Sequence, residues 1–442
     1  MPTNLMKRWS RRCRPVLFTA ALTQQGCDLS TPPPTGVVLP SAIEGKDGLP
    51  THLAGAIGDL AAAYGGNNPD DGLILVSGLF ADELGQTIGT SVNVNVDQRA
   101  AGISNSLTES IYRALQRARA SAEQTIDAYQ AFDATAVGGL YARNLAGFAY
   151  VLLAENFCSG IPFSKSAADG SVVYGPPETT TQVLERAVAA FDSALGAGPS
   201  VLGAHPAAQD SVASQLNLAH LGRARALLAL ARFADAGAES ARVPDGFTWV
   251  MEYSDYSTRE VNGIYYHTRQ AQDYSAADSE GVNGIAFLAQ GDPRALVDTL
   301  VVGLNYAPRV YSAATAPIML AGATEARLIQ AEALLRAGDG SGSWSILNAL
   351  RTSNGLSPLS DPGTPDARVS QLFRERALWL WLTGHRLGDL RRLVRQYGRS
   401  ANTVYPTGVY SGALMYGNQL DLVVYEVNNP RYDPGACDPT RP

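Results

Sequence analysis

The sequence has few histidines and cysteines and no cluster of basic residues after residue 15, and these shortages exclude several classes of function. None of the five histidines has the spacing of a metal ligand, so nothing indicates a zinc site. Asp and Glu (41) outnumber Lys and Arg (34), and a net charge of −7 does not fit a protein that binds the phosphate backbone of nucleic acids. With 45% apolar and 17% charged residues among 442, the chain is nevertheless typical of a globular protein.

Signatures of common catalytic sites are also missing from the sequence. It contains no GxSxG nucleophile elbow, no GxGxxG motif and no P-loop, and the glycine-rich residues 338–342 lack the lysine of a phosphate-binding loop, so we predict a turn there. Two carboxylates suited to glycoside hydrolysis remain an alternative, because their separation depends on the fold. We therefore predict a protein that is not an enzyme and needs no cofactor.

The N-terminal residues have the order of a secretory signal peptide, in which basic residues precede a short apolar run at 15–23. That run is too short to span a bilayer, which needs about 20 apolar residues. Cys27 follows it, and we predict that cleavage after residue 26 leaves Cys27 as a lipid-modified N-terminus. The lipobox is degenerate, since Gln24 stands where leucine is usual, and the alternatives are a plain signal peptide or a wrongly chosen start codon. Residues 27–48, which include three consecutive prolines, are predicted to be a tether.

The chain has four cysteines, and two of them, Cys13 and Cys27, belong to the leader. Cys158 and Cys437 both lie in glycine-containing loop sequence, and an exported chain meets an oxidising compartment. A disulfide between them is the prediction. Two unrelated thiols are the alternative, because their wide separation in the chain says nothing about their distance in space.

From residue 49 to residue 245 the apolar residues recur at the spacing of amphipathic helices. Residues 224–244 have the small-residue contacts, the aromatic Phe233 and the closing Pro244 of a tetratricopeptide helix pair. Similar pairs are predicted at 325–351 and 366–395. The predicted fold is all-α, with tetratricopeptide-like helical hairpins forming a right-handed superhelical scaffold that carries large irregular loop insertions.

Two irregular segments, 247–311 and 397–432, interrupt the helical pattern and contain most of the tyrosines. Flat aromatic rings stack on the apolar faces of sugars, while neighbouring polar side chains bond the hydroxyl groups. The alternative is that these rings merely pack the insertion onto the helices. The residues predicted to bind a ligand are Trp249, Tyr253, Tyr256, Tyr265 and Tyr266.

The last third of the chain resembles the SusD/RagB family of surface nutrient-binding lipoproteins. Residues 323–336 are similar to the family's alanine- and glutamate-containing helix, and residues 348–351 are similar to its Asn-x-x-Arg element. The strongest likeness is at 372–392, which follows the family's succession of Glu-Arg, Gly-His-Arg and Asp-Leu-Arg-Arg. We interpret the charges of this succession as a structural network rather than a site. They belong to Glu375, Arg376, Arg386, Asp389, Arg391 and Arg392.

The resemblance implies a surface-exposed outer-membrane lipoprotein that binds a nutrient, with a glycan favoured, and delivers it to a SusC-like TonB-dependent transporter. Only a lipid anchor would attach it to the membrane, and no nucleic acid is expected as a partner. The RagB branch makes peptide cargo an option, and the alternative function is a helical-repeat adaptor that binds peptide or protein. The predicted organisation is a signal peptide (1–26), a tether (27–48) and a SusD/RagB-like domain (49–442) with a helical-repeat half (49–245) and a SusD-type half (246–442).

Overall fold

The computed structural model describes residues 44–440, with the exception of residues 168, 425 and 427. The predicted signal peptide, the predicted lipidation site Cys27 and most of the predicted tether therefore lie outside the described residues.

The first half of the described chain consists of helices that pack on their sequence neighbours. In the longest helix, Ser106–Phe132, the apolar residues that recur at helical spacing from Leu107 to Ala122 are buried. The Asn105 side chain caps the start of this helix by accepting from the backbone amides of Leu107 and Thr108. The amphipathic prediction is thereby confirmed for this helix. The eight helices of this half are α1 (Leu49–Gly65), α2 (Leu73–Phe80), α3 (Ser91–Asp97), α4 (Ser106–Phe132), α5 (Val137–Asn156), α6 (Thr180–Ala204), α7 (Gln209–Ala229) and α8 (Phe233–Ser240).

Two of the helices in the described part, α5 and α6, are long and apolar enough to cross a membrane by length and composition alone. The most apolar window of α5 is 83% buried, between α4, α6 and α7. The corresponding window of α6 is 33% buried, and its Phe191 packs edge-to-face on Phe148 of α5 at 5.3 Å. The buried apolar residues of both helices therefore contribute to the protein core.

Short antiparallel strand pairs and two short helices lie in the connections between the long helices, in both halves of the described chain. The strands pair as β1 with β7, β2 with β5, β3 with β4, β6 with β10, β8 with β9 and β11 with β12. The short helices are α9 (Gly263–Tyr265) and α10 (Phe287–Gln290). The strands are β1 (Leu84–Gln86), β2 (Ile161–Pro162), β3 (Lys165–Ser166), β4 (Val172–Val173), β5 (Pro177–Glu178), β6 (Thr248–Met251), β7 (Tyr274–Ala276), β8 (Val297–Val301), β9 (Asn305–Pro308), β10 (Ile318–Gly322), β11 (Val409–Ser411) and β12 (Leu414–Met415).

The two helix pairs predicted in the second half are present. Gly338 has a φ of 88° in the turn of the first pair, and Gly384 has a φ of 69° in the turn of the second, which is backbone that glycine adopts without strain. The helices are α11 (Ala323–Arg336), α12 (Gly340–Ser353), α13 (Pro365–Trp379), α14 (Arg386–Arg395) and the short α15 (Ala401–Val404). The predicted fold class of helical hairpins with irregular insertions is confirmed.

The C-terminal segment returns to the end of α5. The backbone amide of Cys158 donates to the Leu422 carbonyl at 2.9 Å, and the amide of Leu422 donates to the Asn156 carbonyl at 2.9 Å. The structure joins Cys158 and Cys437 in a disulfide with a Cα–Cα distance of 5.2 Å, within the usual range. Cys158 and Cys437, the two cysteines that lie outside the predicted leader, are thus bonded to each other.

Candidate functional site

Two of the five predicted aromatic residues pack the insertion onto the helices. The Tyr253 ring is buried, and its hydroxyl donates to the Ala61 carbonyl of α1 at 2.8 Å. The half-buried Trp249 ring on β6 contacts Tyr141 of α5 edge-to-face at 5.0 Å. The burial of Tyr253 does not fit its predicted role in ligand binding, because its ring offers no free face. Trp249 has part of its surface occupied by packing.

The other three predicted residues remain accessible. Tyr256 is 91% exposed, while Tyr265 and Tyr266 are half-buried at the point where α9 passes into a π-helical turn over Tyr266–Gln270. A large ring left in water is costly unless a partner covers it, so Tyr256 is the most suitable of the five for ligand contact. We call residues 254–266, which carry these three rings, the tyrosine segment.

The tyrosine segment is held by the end of α1 and the loop that follows it. The buried Asn262 side chain accepts from the Tyr265 amide at 2.9 Å and donates to the Ala316 carbonyl at 2.7 Å. The Asn68 amide in the loop donates to the Thr258 carbonyl at 3.1 Å. The segment is thus an ordered platform, which reduces the entropy that binding would cost.

Charged groups border the same surface. Arg259 forms an exposed ion pair with Asp59 at 2.8 Å, and His267 lies 3.0 Å from Asp273. Burial opposes protonation of His267, but the hydrogen bond to Asp273 and the charge of Asp71 outweigh it and raise the pKa of this imidazole. The sequence analysis missed both His267 and the polar loop at 66–72. The run of Asn, Pro and Asp between two apolar helices was the available signal.

Gly263→Ala should disturb this surface without touching a tyrosine. A methyl group at position 263 would lie 2.5 Å from the Gly65 carbonyl oxygen and 2.6 Å from the Asn67 amide nitrogen, both of them backbone atoms that cannot rotate away. We expect a loss of roughly 1 to 3 kcal/mol in the free energy of unfolding, typical of overpacking. Urea denaturation measures it. Gly55→Ala on α1 is the control, because nothing lies within 4 Å of the added methyl group, and equal losses in both variants would refute the assigned contact.

A large cavity lies on the opposite side of β6 from Trp249. Its volume is about 1070 Å³, and β6, β10, α11, α12 and the turn between α13 and α14 form its walls. None of the five predicted aromatic residues is among the lining residues, whereas Trp379 and Trp381 are. We call it the ribbon cavity, after the β6–β10 pair. Because its walls come from three distant parts of the sequence, local pattern gave no indication of it.

The charged succession at 372–392 forms a buried network, as the sequence analysis interpreted it. Arg376 and Arg392 both bind the Asp389 carboxylate at 2.8 Å, and Arg386 binds Glu280 at 2.5 Å. These guanidinium groups are engaged by carboxylates of the protein, so they are poorly placed to bind an anionic ligand.

Glu375 joins three separate sequence elements. It accepts from Arg294 at 2.6 Å and from Arg351 at 2.7 Å, and the Arg294 guanidinium stacks over the Trp379 ring at 4.9 Å from its centre. Among the residues that the structure describes, no group of three or more His, Cys, Asp or Glu side chains is placed to hold a metal ion.

Comparison with solved structures identifies this arrangement of helices. The chain aligns with a SusD superfamily protein from Bacteroides thetaiotaomicron with a TM-score of 0.60 at 14% identity, covering 84% of this chain and 91% of that chain. The chain has the SusD fold. A SusD-like carbohydrate binding protein from Bacteroides vulgatus aligns with a TM-score of 0.54 at 15% identity, over 83% of this chain and 85% of that chain. Surface glycan-binding protein A from Bacteroides uniformis aligns with a TM-score of 0.56 at 15% identity, covering 80% of this chain and 90% of that chain.

The resemblance to SusD/RagB proteins is therefore confirmed at the level of the fold. No family model matches the sequence, and the search of curated proteins gives no match. The chain thus shares the SusD fold with these structures at only 12–15% sequence identity. What such a protein binds has to be argued from its own surface.

Proposed function

We propose that this protein is a SusD-type lipoprotein that captures a glycan at the surface of the outer membrane and passes it to a SusC-like TonB-dependent transporter. The observation that carries the proposal is the SusD fold along most of the chain, shared with structures described as carbohydrate binding and glycan-binding. The protein binds its cargo without altering it, so it is not an enzyme, and it uses no cofactor.

The tyrosine segment is the proposed glycan site. Tyr256 presents a free ring, Tyr265 and Tyr266 lie within ten residues of it in the sequence, and Arg259 is exposed beside them. Rings of this kind stack on the C–H faces of sugars, and guanidinium and amide groups bond the hydroxyls. Trp249 contributes through the part of its ring that packing leaves free.

Replacing Tyr256, Tyr265 or Tyr266 with Ala should weaken glycan binding several-fold. Loss of a stacking ring costs roughly 0.5 to 1.5 kcal/mol beyond the area it buries. The ligand is first identified on a glycan and peptide array, and affinities of the three variants are then measured by calorimetry. Tyr174→Ala is the control, because this half-buried tyrosine lies outside the segment, in the connection between β4 and β5. If all three variants bind like wild type while circular dichroism is unchanged, the site lies elsewhere.

The same array decides between glycan and peptide cargo. A peptide ligand with no sugar bound would favour the alternative, a helical-repeat protein that binds peptide or protein. A TonB-dependent transporter that copurifies with the protein would then separate a RagB-like uptake role from an adaptor role.

Attachment to the membrane is proposed to depend on Cys27. A tether without a lipid has no free energy of partition into the bilayer, so Cys27→Ala should release the protein from the outer-membrane fraction. Cell fractionation followed by immunoblotting measures the distribution, and Cys13→Ala in the predicted signal peptide serves as the control. Retention of the Cys27 variant in the outer membrane would contradict the lipid anchor and favour another mode of attachment.

A further inference from the structure

The ribbon cavity differs from the tyrosine segment in shape and in chemistry. It is a concave space of about 1070 Å³, at the upper end of the range in which proteins enclose small molecules. No residue of the tyrosine segment lines the cavity, whereas Thr248 and Val250 of β6 do, and Trp249 between them packs on α5. A ligand in the cavity would therefore not touch the ring of Tyr256.

Aliphatic and aromatic side chains make up much of the cavity wall. Val250 and Met319 contribute from the β6–β10 pair, and Ile346 and Leu350 contribute from α12. Trp379 adds an aromatic surface at the end of α13. Walls of this composition favour burial of an apolar molecule at about 25 cal/mol for each Å² removed from water. A glycan, which needs a polar partner for most of its hydroxyl groups, suits this wall poorly.

The charges in the wall are already neutralised by protein groups. Arg327 pairs with Asp245 at 3.0 Å and Arg294 with Glu375 at 2.6 Å, while the Glu325 carboxylate lies 3.1 Å from the His385 imidazole and 3.9 Å from the Arg225 guanidinium. A charged ligand would have to break one of these pairs or lose its hydration without compensation, and both are costly. The wall therefore selects for a neutral ligand.

Polar groups suited to a neutral ligand also line the cavity. Thr248 and Thr324 line it, and within the described residues neither threonine hydroxyl forms a hydrogen bond to the protein. Each hydroxyl can donate to or accept from one oxygen of a ligand. Asn354, at the end of α12, adds a side-chain carbonyl oxygen as an acceptor, while its amide nitrogen already donates to the Leu350 carbonyl and the Ser353 hydroxyl.

We propose that the ribbon cavity is a second binding site, which takes a neutral and mainly apolar small molecule carrying one or two hydroxyl or carbonyl oxygens. This site is independent of the proposed glycan site, because the two share no residue. It gives the protein a capacity to bind an apolar compound whether or not the glycan proposal holds.

The test is a fluorescence titration with the neutral naphthyl ketone dye prodan, in the Cys27→Ala background so that no lipid competes for the dye. We expect saturable binding of one dye per protein, a blue shift of its emission and energy transfer from tryptophan. The double variant Ala349→Trp/Ser353→Trp places two large side chains in the cavity lining from one exposed face of α12. If these side chains keep about 60 Å² of dye surface from being buried, binding should weaken about tenfold.

Two controls locate the dye. Thr352→Trp lies on the same helix outside the lining and should leave binding unchanged, as should Val302→Glu at the exposed apolar tip of the β8–β9 hairpin. Loss of binding in Val302→Glu would place the dye on the hairpin and overturn the proposal. Full binding by the double variant would overturn it as well, as would the lack of saturable binding by wild type. If circular dichroism shows that the double variant is unfolded, Val250→Trp from the opposite wall replaces it.

The ligand class is tested with the anionic dye anilinonaphthalene sulfonate. We expect it to bind at least several-fold more weakly than prodan, because the paired wall charges offer a sulfonate no free cation. Equal or tighter binding of the anionic dye at the cavity would refute the assignment to neutral molecules. Glycan binding should be unchanged in the double variant, because its substitutions lie in the ribbon cavity and not in the tyrosine segment. A failure of the cavity proposal would therefore appear in the dye titration, and a failure of the proposed function would appear in the glycan measurement.

Discussion

Asp389→Ala should lower the free energy of unfolding by about 3 to 5 kcal/mol, because it leaves two buried guanidinium groups without a shared carboxylate. Arg376 binds Asp389 at 2.8 and 3.0 Å, and Arg392 binds it at 2.8 Å. Arg392 also binds Glu332 of α11, so the network connects α11, α13 and α14. Removing its centre should weaken the packing of all three helices together. Urea denaturation followed by circular dichroism measures the change.

The control for Asp389 is an ion pair of similar geometry at the surface. Asp361 binds Arg368 at 2.6 Å, and both side chains are accessible to water, so Asp361→Ala should leave the unfolding midpoint nearly unchanged. Binding at the proposed glycan site, measured per folded molecule, should be unaffected in either variant. If Asp389→Ala kept its stability and lost the ligand, the charged succession would be a binding site and its structural interpretation would be wrong.

The same network predicts sensitivity to acid. Burial opposes ionisation of Asp389, but the charges of Arg376 and Arg392 outweigh it and hold the pKa of this carboxyl well below its usual range. A carboxyl whose pKa is depressed in the folded state contributes stability above its unfolded pKa, and that contribution is lost as the pH falls below about 4. The difference in free energy of unfolding between wild type and Asp389→Ala should therefore become smaller as the pH falls through that range, because only the wild type loses this contribution. Urea denaturation at a series of pH values measures the difference.

The helical scaffold could be predicted because its signals are local. The spacing from Leu107 to Ala122 defines one face of α4, and Gly338 and Gly384 mark turns between helices whose periodicity is clear on either side. The structural role of the charged succession could be predicted for the same reason, since Arg376 and Asp389 belong to one helix pair and meet across a single bend.

The site could be predicted only in part because burial depends on distant residues. Tyr256 and Tyr253 are three residues apart in similar polar sequence, yet Tyr253 is buried because α1 offers it the Ala61 carbonyl. The ribbon cavity and the partnership of Arg294 with Glu375 also unite segments that lie far apart in the chain. Such contacts are properties of the assembled fold, and no periodicity in the sequence encodes them.

Removing the disulfide with Cys158→Ala and Cys437→Ala together should destabilise the protein by roughly 2 to 5 kcal/mol. The bond closes a long loop, since its two cysteines are 279 positions apart in the sequence, so it restricts the unfolded chain strongly. The double variant avoids leaving a free thiol at the buried position 158.

The disulfide also fixes the C-terminal segment beside the end of α5, in addition to the ion pair of Asp421 with Arg391 of α14. Besides the backbone bonds at Leu422, the Leu420 amide donates to the Pro439 carbonyl at 2.6 Å, and Ala436 packs against Gly160 next to the bridge. Hydrogen exchange in the double variant should therefore increase most at residues 420–440 and at the end of α5, while α11 to α14 change little.

Reduction of the wild-type protein provides the matched control for the disulfide. Dithiothreitol should shift the wild-type unfolding midpoint to that of the double variant and leave the double variant unchanged, since only the wild type has a bond to break. Peptide mapping without reductant should recover the peptides of Cys158 and Cys437 as one crosslinked species. Alkylation of both thiols under those conditions would show that the protein holds its C-terminal segment by hydrogen bonds and packing alone. The loss of stability expected from the double variant would then shrink to that of two small side-chain truncations.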